Sequence, residues 1–156
     1  MKKLVVVITY ALSLISLVSH ASSTQIGDDS PFTNCQLPTV NERGPIHAPL
    51  YVVGTFPEGQ WIHQDNRKMS YKGNGIYQLV MDEKPGNFSV QFATMSWKPQ
   101  FTADGLVLKV GEVNELKRAG FAKNTAITFS TAGRYVWTVK ISDDRKPQQV
   151  AVALCH

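Results

Sequence analysis

Thr125-Ala126-Ile127-Thr128-Phe129, a break at Ser130-Thr131-Ala132, and then Gly133-Arg134-Tyr135-Val136-Trp137-Thr138-Val139-Lys140-Ile141 carry the clearest period in the chain. β-Branched or apolar side chains fall at every second position, through Thr125, Ile127 and Phe129 and again through Tyr135, Trp137, Val139 and Ile141. That is the period of strands with one face buried. Trp137, with apolar neighbours two positions away on either side, is expected in the core.

Working outward, the same signal recurs in short runs bounded by turn residues. Phe88, Val90 and Phe92 alternate with Ser89, Gln91 and Ala93, and Tyr77, Leu79 and Met81 share one face of Ile76–Glu83. Gly73-Asn74-Gly75, residues that readily take positive φ, joins that run to Arg67–Lys72 as a hairpin. Leu50–Gly54 opens the series and Gln149–Cys155, with Val150, Val152 and Leu154 on one side, closes it. Between Lys98 and Lys123 the pattern is less regular: Leu106–Val110 reads as extended, and Val113–Ala119 is compatible with a strand or one helical turn. No 3.6-residue period is sustained. The expectation is an all-β sandwich or barrel of about seven or eight strands.

The chain ahead of Leu50 is of two kinds. Met1–Ala21 has the form of a secretory signal peptide: Lys2 and Lys3, an apolar run over Leu4–Val18, and small residues at Ser19 and Ala21. The apolar run is shorter than the ~20 residues of a spanning helix, so no membrane association is expected once it is cleaved. Residues 22–49, rich in Ser, Thr, Asn, Asp, Gly and Pro, read as an irregular arm, and residues 50–156 as the sandwich. Export to the periplasm or beyond the cell is the expected destination. It is an oxidising one, where the two cysteines, Cys35 and Cys155, are expected to pair within the chain; two separate thiols or pairing between chains are the alternatives.

Charge narrows the partners. Sixteen basic and twelve acidic residues give +4, and removing Lys2 and Lys3 with the signal leaves +2. No stretch interleaves lysine and arginine with aromatics, so nucleic acid is not an expected ligand. His47, His63 and His156 lack the short spacings of a zinc site, and neither metal nor other cofactor is expected.

Catalytic constellations are thin. There is no Gly-x-Ser-x-Gly turn and no glycine-rich phosphate loop. Paired carboxylates for glycoside hydrolysis would have to come from Asp65, Asp82, Glu83 and Asp104, which fall in predicted turns or at strand ends where acids are usually solvated. No enzyme is expected. Trp61 and Trp97 are more informative, since each follows a strand and sits among Gly, Gln, Ser, Lys and Pro. A flat indole beside amide or charged groups suits the C–H face and hydroxyl rim of a glucose unit. Composition alone is equally compatible with both indoles plugging the open ends of the sandwich.

Leu50-Tyr51-Val52-Val53-Gly54-Thr55-Phe56 followed by Trp61 resembles the opening of the immunoglobulin-like glycogen- and starch-binding modules attached to pullulanases and branching enzymes. The resemblance continues through Gly75-Ile76-Tyr77, Pro85-Gly86, Phe88–Phe92, Trp97, Gln100-Phe101, Ala103-Asp104-Gly105, Gly111–Leu116, Asn124–Phe129, Gly133-Arg134-Tyr135 and Pro147. It implies an immunoglobulin-like antiparallel β-sandwich and a non-catalytic protein that binds α-glucan, whether starch, glycogen or a maltooligosaccharide. Trp61 and Trp97 match the platform tryptophans and Asn124 the hydrogen-bonding asparagine. Gln91 stands where the family has a lysine, Pro57-Glu58-Gly59-Gln60 replaces the shorter family turn, and Lys98 lies beside the platform. In the relatives such a domain is a side module of a larger enzyme, which leaves a second expectation open: an exported protein–protein interaction or structural domain on the same fold without a sugar site.

Overall fold

The alternation of apolar residues forces two sheets to face each other, and the computed structural model, which describes residues 23–27 and 29–156, has that architecture. The expected signal segment, Met1–Ala21, lies outside the described residues. Among those described there are thirteen strands: β1 (Thr24–Gln25), β2 (Leu50–Phe56), β3 (Gly59–Gln60), β4 (Ser70–Tyr71), β5 (Ile76–Glu83), β6 (Gly86–Thr94), β7 (Gln100–Thr102), β8 (Val107–Leu108), β9 (Glu112–Glu115), β10 (Lys117–Arg118), β11 (Thr125–Phe129), β12 (Gly133–Ile141) and β13 (Pro147–Leu154). Seven of them have four residues or more, and the others are two- or three-residue pieces. The fold is an immunoglobulin-like β-sandwich.

A six-stranded sheet runs β1-β9-β13-β12-β5-β4. The seven-stranded sheet runs β10-β7-β6-β11-β8, with β2 on the other edge of β6 and β3 on β2. Pairing is antiparallel except between β8 and β11, which run parallel. The hairpin from β4 to β5 turns at Gly73-Asn74-Gly75, all three at positive φ; a Cβ on Gly75 would meet the Ile141 carbonyl oxygen at 2.1 Å, so only glycine fits. The stretch after Val113 resists periodic reading because the chain changes sheets there. β9 pairs with β13 and β10 with β7, and Leu116, buried between them, marks the crossing.

Trp137 is fully buried between the sheets, edge-on to Phe56, Phe92 and Phe129 at ring distances of 6.2, 6.3 and 5.6 Å. Its indole N–H donates to Glu83 Oε1 at 2.8 Å. Glu83 is therefore not a solvated strand end, as its position suggested, but a buried carboxylate. Arg67 makes this tolerable by a two-pronged bond, Nη1 to Oε1 at 3.0 Å and Nη2 to Oε2 at 3.2 Å, while its guanidinium lies 3.3 Å from the centre of the Phe56 ring. To reach that place Arg67 leaves the expected strand and ends a short 3-10 turn, Asp65–Arg67. The remaining acids considered for catalysis are exposed: Asp65 in that turn, Asp82 at 3.4 Å from Arg134, and Asp104 at 4.0 Å from Lys117.

The arm lies across the outer face of the six-stranded sheet. Phe32 is buried against Ile76 and Ala151, with Ile26, Leu37 and Val113 packed alongside. Gln78, which points out of the core, gives its amide N–H to the carbonyls of Pro31 and Asn34 at 2.8 and 3.3 Å, and Lys72 Nζ donates to the Leu37 carbonyl at 2.9 Å. Cys35 and Cys155 form a disulfide with Cα atoms 5.9 Å apart, closing a separation of 120 residues.

Candidate functional site

In β2 both faces are apolar, and the period of two divides them. Leu50 and Val52 point into the sandwich, while Tyr51 and Val53 point outward and form a separate buried cluster with Ala93 of β6. An outward apolar face must be covered to stay out of water. Trp61 and Trp97 cover it: both are half-buried and packed on Tyr51, Val53 and Ala93. The indoles are thus neither in the core nor plugs at the ends of the sandwich. Each keeps part of its surface open to solvent above the outer face of the seven-stranded sheet.

Backbone geometry sets this placement. Both tryptophans occupy the left-handed region, Trp61 at φ 57° and Trp97 at φ 60°. For a bulky L-residue that costs about 1–3 kcal/mol, and such strain gathers at functional sites. Hydrogen bonds hold the two turns, Trp61 N–H to the Gly54 carbonyl at 2.7 Å and Trp97 N–H to the Thr94 carbonyl at 2.8 Å. Gly54 is itself required by its close approach to β6, since a Cβ there would meet the Ser89 carbonyl oxygen at 2.3 Å.

His63 links the cluster. Its ring is edge-on to Trp97 at 4.9 Å and to Tyr51 at 5.3 Å, and its Nε2 is 2.9 Å from the Thr94 carbonyl oxygen, so that nitrogen carries the proton in this contact. Ile62 and Met95, each 59% exposed, add apolar surface next to the tryptophan turns. His63 and Tyr51 carried no signal as site residues, because nothing in their spacing relates them to Trp97.

The polar neighbours come from the next strands. Gln91 lies two residues before Ala93 on the same face of β6, and its side-chain amide donates to Asn124 Oδ1, just ahead of β11. Its own carbonyl oxygen has no protein partner among the described residues. Trp61, Trp97, Gln91 and Asn124 therefore belong to one surface. Lys98, exposed and next in the chain to Trp97, lines an adjoining cleft with Ile46, His47, Pro99, Arg118 and Arg145. No group of three or more His, Cys, Asp or Glu arranged to hold a metal ion occurs among the described residues. Nor is any helix among them long and apolar enough to cross a membrane.

The surface is thus an apolar ledge with aromatics in left-handed backbone and a hydrogen-bonded amide pair. A structure described as the ligand-induced structure of AmyP-SBD, a starch-binding domain, aligns over 94% of this chain and 97% of its own, with 42% sequence identity and a TM-score of 0.64. The chain belongs to the family of that starch-binding domain. Its similarity spans the arm as well as the sandwich, since 94% of the chain is covered. No protein-family model and no curated protein matches the chain.

Proposed function

We propose that the chain is a non-catalytic, exported α-glucan-binding protein whose ligand lies on the outer face of the seven-stranded sheet. The carrying observation is that Trp61 and Trp97 are half-buried on Tyr51, Val53 and Ala93 rather than in the core, beside the hydrogen-bonded amides of Gln91 and Asn124. In this reading the two indoles stack on the C–H faces of successive glucose units. Gln91 and Asn124 meet hydroxyls, and His63 positions the Trp97 ring by its edge contact. Membership in the family of a starch-binding domain supports the sugar class, and the further kinship with pullulanase-associated, glycogen-binding modules belongs to the same proposal.

A platform of two rings predicts micromolar to millimolar dissociation constants, about 4 to 8 kcal/mol. Catalysis is not expected, because Glu83 is consumed by Arg67 and Trp137 in the core, and Asp82 and Asp104 are set against Arg134 and Lys117. The test is thermal unfolding with rising maltoheptaose, where a ligand bound only by the native state raises the midpoint. A dose-dependent rise, with no release of reducing ends from starch or pullulan, is expected. No shift with maltoheptaose or glycogen would end the proposal.

A further inference from the structure

Resting on the glucan reading, we propose that the cleft beside Trp97 is an anion subsite that receives a phosphate monoester carried by the bound glucan. The cleft, of about 340 Å³, is lined by Ile46, His47, Lys98, Pro99, Arg118 and Arg145. Small-molecule sites begin at about 300 Å³. No aspartate or glutamate is in its lining, and among the described residues no carboxylate lies within 4.0 Å of Lys98, Arg118 or Arg145.

Unlike Lys109, Lys117, Arg134 and Lys146, each of which has a carboxylate partner, these three cations share one cleft without one. The contrast is sharpest within one turn. Asp144 is taken by Lys146 and by the Ser142 hydroxyl, which leaves its neighbour Arg145 without a counter-charge. Arg145 also stands at φ 63°, a backbone position that a long side chain seldom adopts. Its Nη2 is 3.4 Å from His47 Nδ1, and Arg118 Nη2 donates to the Arg145 carbonyl at 2.9 Å. Two guanidinium groups and one ammonium are thereby gathered with no compensating acid.

Guanidinium forks and a lysine point charge are matched to a phosphate monoester, which carries about −1.5 to −2 at neutral pH with three acceptor oxygens. Continuity supplies the link to the sugar: Lys98 follows Trp97 directly, so the cleft lies next to the ring on which a glucan would stack. The ligand class is accordingly an α-glucan with phosphate esters on some glucose units.

The experiment compares three ligands by calorimetric titration at low ionic strength: maltoheptaose, maltoheptaose bearing one 6-phosphate, and inorganic phosphate. The phosphorylated sugar is expected to bind about tenfold tighter than the neutral one, equivalent to about 1.4 kcal/mol. The gain should shrink in high salt, since the cations are exposed. Arg118→Gln/Arg145→Gln should erase the gain and leave maltoheptaose binding unchanged; thermal unfolding verifies its fold, and Arg145→Gln alone repeats the test with one surface change. Equal affinity for the two sugars, with maltoheptaose still bound, overturns the subsite and leaves the glucan reading standing. Inorganic phosphate binding as tightly as the phosphorylated sugar overturns the assignment to a glucan substituent. Failure of both sugars to bind overturns the glucan reading and this inference with it.

Discussion

Each of the two sheets carries an apolar patch on its outer face, yet the two patches are covered by different means. Over the six-stranded sheet the chain lays its own arm, with Phe32 buried on Ile76 and Ala151, backbone carbonyls meeting Gln78 and Lys72, and a disulfide tying Cys35 to Cys155. Over the seven-stranded sheet the cover is made of side chains, two indoles with the His63 ring edge-on to Tyr51. Trp61 and Trp97 are half-buried and set in left-handed backbone. The first face is closed by structure and the second is left partly open. A folded chain gains from covering apolar surface, so an incomplete cover held in strained geometry is the one to examine for a ligand.

That contrast can be broken from the side of the arm first, where the largest effects are expected. Cys35→Ala/Cys155→Ala opens a loop spanning 120 residues and should lower stability by about 4–5 kcal/mol in the chain-entropy treatment, read by denaturant unfolding. Binding of maltoheptaose, measured below the lowered melting temperature, should be retained. Phe32→Ala follows, with a loss of about 3 kcal/mol from an emptied buried site and again no change in sugar affinity. A fall in glucan affinity with either variant would mean that the arm, not the tryptophan face, carries the ligand.

The open face should respond in the opposite way, losing binding for little stability. At Trp97 the comparison of alanine with glycine isolates the backbone: glycine has no penalty at φ 60°, so Trp97→Gly should be about 1 kcal/mol more stable than Trp97→Ala, and both should bind weakly. Equal stability of the two variants would show that this turn stores no strain. The same pair at Trp61, at φ 57°, sharpens the result.

Much of the frame was legible because it depends on local period. Tyr77, Leu79, Met81 and Trp137 pack between the sheets where alternation put them, and two cysteines near the ends of a chain have one intramolecular pairing. What escaped depends on contacts distant in sequence. The Arg67 and Glu83 pair joins residues that no spacing rule connects, so Glu83 read as solvated and Arg67 as a strand residue. The irregular stretch near Val113 follows from a change of sheet at Leu116, which a single periodicity cannot express. In the site, Trp61 and Trp97 stood out by their surroundings. Their support did not: the run Leu50-Tyr51-Val52-Val53 announces a strand apolar on both faces without saying what covers the outer one, and His63 has no marked relation to either ring it touches.

The most direct test of the central claim is a tryptophan-fluorescence titration with maltoheptaose of the wild type, Trp61→Ala and Trp97→Ala. Trp137, fully buried, remains in every variant as an internal reference. Saturable binding by the wild type is expected, with affinity reduced at least about tenfold in each variant. An unchanged dissociation constant in both variants, or no response in the wild type, would contradict it.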